Sequence, residues 1–257
     1  FDDVFPSINI KPYAFQEDLI NKLRANLSGL YLYRTSVGSG KSTTTVAIAA
    51  LIEWLRIAYS NKKDSNLNCI QLLFACSVEP VRNEIGRLMY NAKIPFGVAT
   101  TLIDEERNKQ VKITNNWMCK KNENRIVIIA DLDATYELLK EKKNSEMEKN
   151  DRNYVLFLDE PTVGADSQNH IITNIVMKIL TCMPKTTILS SATLPTLAEI
   201  SPIGNLYSKL YPHCSNNIFE IYSKESMIGC QIITQDGNNI VPYANCKNKQ
   251  ELRDVIK

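Results

Sequence analysis

Apolar residues along this chain fall into short, strongly apolar runs rather than an alternating pattern. The runs lie at 30–33, 70–74, 126–129, 154–158 and 187–189. A strand that is apolar at every position suits a sheet covered on both faces, and that predicts parallel strands joined by crossover helices. Between the runs, helical spacing is expected at 41–59, 80–91, 134–142 and 170–183. Strand and helix in alternation describe an α/β, mostly parallel, doubly wound sheet with helices on both faces.

Two polar stretches interrupt this order. Residues 104–125 and 140–152 carry mixed charges without apolar periodicity and read as solvated loop, the first with room for a short hairpin. After Pro212 the pattern becomes β-rich, with strands expected at 218–222, 230–234 and 240–244 and a turn at Asp236-Gly237-Asn238-Asn239. The expected division is therefore one domain over 1–214, followed by a β-rich linker or the start of a second domain over 215–257.

Composition changes this picture little. The chain has 257 residues, and its net charge of +2 neither requires nor excludes a polyanionic partner. Its seven cysteines form no C-x-x-C pair and there are two histidines, so a zinc site is not expected. Reduced thiols fit an intracellular setting. No run of about 18 apolar residues is present, so a soluble protein with no membrane partner is expected.

Candidate chemistry begins at Thr35-Ser36-Val37-Gly38-Ser39-Gly40-Lys41-Ser42, between an expected strand and a long helix. Glycines let the backbone turn its N–H groups toward phosphate oxygens, and the helix adds its positive end. Gly38, Ser39, Gly40, Lys41 and Ser42 are the expected nucleotide contacts, Lys41 reaching the β- and γ-phosphates and Ser42 offering its hydroxyl to Mg²⁺. Thr35 stands where the strict motif has glycine.

The apolar run at 154–158 ends on Asp159 and Glu160, at the sheet end where ligands bind in open α/β folds. Asp159 is the expected Mg²⁺ ligand, and Glu160 the base that orients and deprotonates the attacking water. Lys41, Asp159 and Glu160 form the expected catalytic set.

Asp159-Glu160-Pro161-Thr162 resembles the Asp-Glu-Ala-Asp box of superfamily 2 helicases, and Ser191-Ala192-Thr193 resembles the S-A-T motif of the same superfamily. The segment from Lys11 to Gln16 is similar to its Q-motif region. The resemblance covers roughly residues 11–200 and implies a RecA-like motor domain that binds ATP and Mg²⁺. It further implies that Gln16 reads adenine, and that Ser191 and Thr193 couple the acidic site to nucleic-acid-dependent closure. Ser77 and Arg82 occupy the loosely matching motif Ia and are expected on a DNA or RNA track. Asp131 and Asp133 stand where that track continues, and two acids there do not suit a phosphate backbone.

The stretch Leu158–Asp166 also resembles the Walker B and D-loop of an ABC-type ATPase. Against that stand the missing L-S-G-G-Q signature and the missing histidine on the next strand. Three classes stay open: a helicase or translocase, an ABC-like ATPase driving protein conformational change, and a binding module without turnover. In the first class a second RecA-like domain supplies arginines to the transition state. The residues after Pro212 are too few for one, so weak hydrolysis is expected of this chain alone.

Overall fold

The computed structural model describes residues 12–36, 39–59, 69–103, 109–119, 125–144, 154–167, 170–223, 250 and 253. They form strands β1 (Gly29–Arg34), β2 (Gln71–Cys76), β3 (Phe96–Ile103), β4 (Lys109–Asn115), β5 (Val127–Ala130), β6 (Tyr154–Asp159), β7 (Thr186–Ser191) and β8 (Ile218–Tyr222). The helices are α1 (Ala14–Ala25), α2 (Lys41–Tyr59), α3 (Glu79–Asn91), α4 (Leu132–Asn144), α5 (Ile171–Thr181) and α6 (Ser201–Leu210). All eight strands join one sheet in the order β4-β3-β5-β2-β6-β7-β1-β8, parallel except for β4.

Strand pleating divides the apolar runs between two cores. Tyr31, Tyr33, Leu72, Phe74, Val127, Ile129, Val155 and Phe157 point to one face, where α1, α2 and α3 cover them with Leu19, Ile48, Ile52, Ile85 and Met89. Leu30, Leu32, Leu73, Ile128, Leu156 and Leu158 point to the other, where α4, α5 and α6 supply Leu138, Val176, Ile179 and Tyr207. Each such side chain taken from water contributes roughly 1.5–3 kcal/mol before chain entropy is counted. The two-sided sheet follows from that burial.

Three features differ from the sequence expectation. The hairpin near residues 104–125 exists, but its first strand begins earlier, at Phe96, and pairs Gly97 with Asn115 through Ile103 with Lys109. Helices α1 and α6 were not among the expected ones. Ile218–Tyr222 does not stand apart beyond residue 214: it is β8, paired in parallel with β1. Arg34 at the end of β1 pins it, through an ion pair to Glu220 at 2.7 Å and a cation–π contact with the Tyr222 ring. The strands expected at 230–234 and 240–244 lie outside the described residues.

Candidate nucleotide site

The chain runs from β1 through α2 to β2, passing over β7 and β6. That jump opens a crevice at the carboxyl ends of β6, β7 and β1, the position where ligands bind in such sheets. Register places the functional residues side by side there, with Arg34 opposite Ser191 and Asp159 opposite Ser190.

Lys41 is the first residue of α2, and Gly40 before it has φ +83°. That left-handed turn favours glycine, and a β-carbon there would also lie 2.9 Å from Thr43 Oγ1 and 3.0 Å from Gln16 Nε2. Lys41 Nζ lies 2.5 Å from Glu160 Oε1. A triphosphate entering the loop would compete with that carboxylate for the ammonium. Ser42 follows on the first turn of α2, and Ser39 is fully buried with no hydrogen-bond partner for its Oγ among the described residues. Thr35 Oγ1, at the departure from the strict motif, is likewise buried without a partner among the described residues. Gly38 lies outside the described residues.

The two acids differ in environment. Asp159 closes β6 inside the sheet, where its Oδ1 accepts a hydrogen bond from Ser190 Oγ at 3.0 Å. Burial pushes its carboxyl up to about 6 from an ordinary 3.8, with Lys41 and the Ser190 bond pulling down and the Glu160 charge adding to the rise. Such a carboxylate gains most when a cation arrives. With Ser42 it offers the hard oxygen donors that suit Mg²⁺.

Glu160 is the first residue past β6 and takes a left-handed φ of +51°, which is uncommon for a residue with a β-carbon. Its backbone N–H donates to Ser190 O at 2.7 Å. Its side chain is fixed at both oxygens, by Lys41 at Oε1 and by Ser191 Oγ at Oε2, 2.6 Å away. The Ser191 hydroxyl donates to the carboxylate, so its oxygen accepts from Thr193 N at 3.1 Å and has room for one more donor, the Thr162 or the Thr193 hydroxyl. Thr162 Oγ1 lies 3.2 Å from Ser191 Oγ and 2.8 Å from Thr193 Oγ1. Ser191 thus reaches Glu160 directly, and Thr193 reaches it only through Ser191.

The sequence reading missed Thr162 and Ser190 as parts of this cluster. A signal for Thr162 existed, because it occupies the last position of the box that begins at Asp159. Ser190 carried no signal of its own; only the β6–β7 register brings it to Asp159.

Gln16 sits on the buried face of α1 with Phe15, Leu19, Ile20 and Leu23. Its Nε2 donates to Gly40 O at 2.9 Å and Thr44 Oγ1 at 3.1 Å, and its Oε1 accepts from Tyr13 N at 3.0 Å. The amide expected to face a base is turned inward, toward Gly40 and the first turn of α2. Arg82 Nη1 donates to Cys76 O at 2.7 Å and Ser77 O at 2.9 Å, holding the turn after β2, and Ser77 Oγ is buried without a partner among the described residues. Asp131 Oδ1 accepts from Ala134 N and caps α4, while Asp133 is ion-paired with Lys109. Both acids have structural partners.

No helix among the described residues is long and apolar enough to cross a membrane. No family model and no curated protein matches the sequence. Among solved structures, the DEAD box protein of the hyperthermophile Methanococcus jannaschii is similar at a TM-score of 0.50 and 17% identity, over 84% of this chain and 55% of that one. An S. cerevisiae Dbp5 variant bound to RNA and ADP BeF3 gives a TM-score of 0.48 at 17% identity, over 91% of this chain and 52% of its own. The chain therefore spans about half the length of each. The likeness to the Methanococcus jannaschii structure is one of fold, and by it this chain has the RecA-like α/β fold expected from its sequence.

Proposed function

We propose that this chain is the ATP-binding motor domain of a nucleic-acid-dependent ATPase, of the superfamily 2 helicase or translocase type. The observation that carries the reading is the convergence of Lys41, Asp159, Glu160 and Ser191 on one crevice at the ends of three adjacent strands. A phosphate loop, a buried acid, a fixed base and a hydroxyl strand meet within hydrogen-bond reach.

In this reading the backbone around Gly38–Ser42 and the N-terminal end of α2 hold the phosphates. Lys41 leaves Glu160 for the β- and γ-phosphate oxygens. Ser42 and Asp159 would hold Mg²⁺, which neutralises phosphate charge when bound. Glu160, released from Lys41 yet still held by Ser191 at Oε2, accepts the proton of the attacking water. Because Ser191 also touches Thr162 and Thr193, a shift of the β7 end would move the base. That gives nucleic acid lying along this edge, near Ser77 and Arg82, a way to gate hydrolysis. A second RecA-like domain, bringing arginine to the transition state, completes the motor.

ATP turnover measured with and without single-stranded DNA, RNA and duplex tests the proposal. Slow basal hydrolysis that rises with one of these nucleic acids, in a protein carrying both motor domains, is the expected result. A rate indifferent to all of them would remove the helicase reading and leave a P-loop ATPase of another kind.

A further inference from the structure

Between Glu160 and α5 the chain makes three overlapping turns. They are closed by backbone bonds from Val163 N to Glu160 O at 3.2 Å, Ala165 N to Thr162 O at 3.1 Å and Ser167 N to Gly164 O at 3.1 Å. Because neighbouring turns share residues, a displacement at Gly164 is passed back to Thr162 and Glu160. Gly164 has φ +78°, a left-handed conformation that favours glycine. The second demand for glycine there is steric. A β-carbon at this position would lie 2.3 Å from His170 Nδ1, 2.5 Å from its Cγ and 2.8 Å from its Cε1, so the imidazole fills the space a side chain would take.

His170 is itself held by a packed element. It is the N-cap of α5, where its Nδ1 accepts from Ile172 N at 3.2 Å and its carbonyl accepts from Asn174 N at 3.1 Å. Buried Val176, Ile179 and Leu180 seat α5 in the core on that face of the sheet. Ala165, Asp166 and Ser167 are exposed and gain no such anchorage from burial. The ring therefore ties a surface loop to a helix fixed on the sheet.

That loop carries the polar cluster of the candidate site. Two residues before Gly164, Thr162 Oγ1 lies 2.8 Å from Thr193 Oγ1 and 3.2 Å from Ser191 Oγ, and Ser191 Oγ donates to Glu160 Oε2 at 2.6 Å. Glu160 is thus held at its carbonyl by the first turn and at its carboxylate by β7. Its φ of +51° is a conformation that persists only where the surroundings over-determine it.

We propose that His170 is a positioning residue for the base: its imidazole, seated on Gly164 and anchored to α5, sets the turns that hold Thr162 and Glu160 in place. This rests on the proposed role of Glu160 in hydrolysis. The effect belongs to kcat and not to nucleotide affinity, since neither His170 nor Gly164 lies in the phosphate loop.

Mg-ATP turnover, Mg-ATP titration and denaturant unfolding of the full-length protein and its variants separate the two jobs of the ring. His170→Asn keeps a side-chain acceptor for the Ile172 N–H but removes the ring, so kcat should fall by at least about tenfold while Mg-ATP affinity holds. His170→Phe keeps a flat ring against Gly164 and loses the cap, so it should turn over faster than His170→Asn although it unfolds more readily. Full turnover in His170→Asn, or a Phe variant no faster than the Asn variant, would overturn the proposal and leave His170 a helix cap. Gly164→Ala drives a methyl group into the ring and should lower kcat in the same way. Combined with His170→Asn it should come within about threefold of the worse single variant, because the two act through one contact. Losses that multiply would show independent action and overturn the proposal too. An unaltered protein that neither binds nor hydrolyses Mg-ATP would remove the proposed function itself, and this inference with it.

Discussion

The carboxyl edge of β6, β7 and β1 and the β3–β4 hairpin at the far end of the same sheet solve opposite problems. At the first, every strand residue but Arg34 is buried, and the polar side chains at the strand ends are paired: Ser190 with Asp159, Ser191 with Glu160, Lys41 with Glu160. At the second, burial alternates and thins out toward the tip, leaving Val98, Leu102 and Ile103 exposed and Lys109 ion-paired at the surface with Asp133. Charges that are desolvated and paired hold a fixed geometry and resist change; charges and apolar groups at a wet edge contribute little and tolerate it. The molecule therefore concentrates its chemistry where substitution has the largest effect.

Substitutions at the two regions should diverge accordingly. Lys41→Ala is expected to have the largest effect, lowering Mg-ATP turnover by at least about 100-fold and weakening nucleotide binding, as measured by steady-state kinetics and titration. Glu160→Gln comes next. It keeps the shape of the side chain but not its basicity, so hydrolysis should fall by about 10²–10⁴-fold while binding persists. Equal loss of binding and turnover would mean that Glu160 holds the loop rather than the water.

Asp159→Asn sharpens the comparison through stability. Burial raises the Asp159 carboxyl to about 6 from 3.8, so the folded protein holds this proton more tightly than the unfolded chain between those values. That contribution is fully present below about pH 4 and is lost as pH rises through 6. The neutral amide should therefore stabilise the protein at pH 8 by roughly 1–3 kcal/mol, a gain that disappears near pH 4, while Mg²⁺-dependent nucleotide binding is lost. Denaturant unfolding at the two pH values measures it; a variant less stable at pH 8 contradicts the electrostatic account. The smallest effect belongs to the hairpin. Leu102→Asn, at an exposed position, should leave stability within about 0.5 kcal/mol and nucleotide binding unchanged.

The same contrast explains what could be read from the sequence. Strands buried on both faces favour apolar residues without alternation, so β1, β2, β5, β6 and the Ile188–Leu189 centre of β7 stood out, although β2 opens on a buried Gln71 and β7 carries buried Thr and Ser at its ends. The hairpin strands, half exposed, carried no such run: β3 went unnoticed, and the stretch holding β4 offered only room for a hairpin. Helix α1 was obscured by a polar residue on its buried face. Gln16 follows Phe15 and precedes Leu19 by three positions, a spacing that places it inward, yet a glutamine in a short motif suggests an outward, base-reading role. β8 was legible as a strand and not as a member of the main sheet, since strand pairing is a long-range property.

By itself the sequence determined the α/β class, the strand-to-helix placement of the candidate phosphate loop and the delivery of Asp159 and Glu160 at a strand end, because these depend on local periodicity and on residue types at fixed spacing. Only the tertiary structure decided that Ser190 meets Asp159, that Ser191 and Lys41 grip opposite oxygens of Glu160, and that the Gln16 amide turns inward toward Gly40. Those contacts join residues 24 to 119 positions apart, and it takes the crossover of β1 past β7 and β6, the β6–β7 register and the packing of α1 on α2 to bring such residues within hydrogen-bond reach.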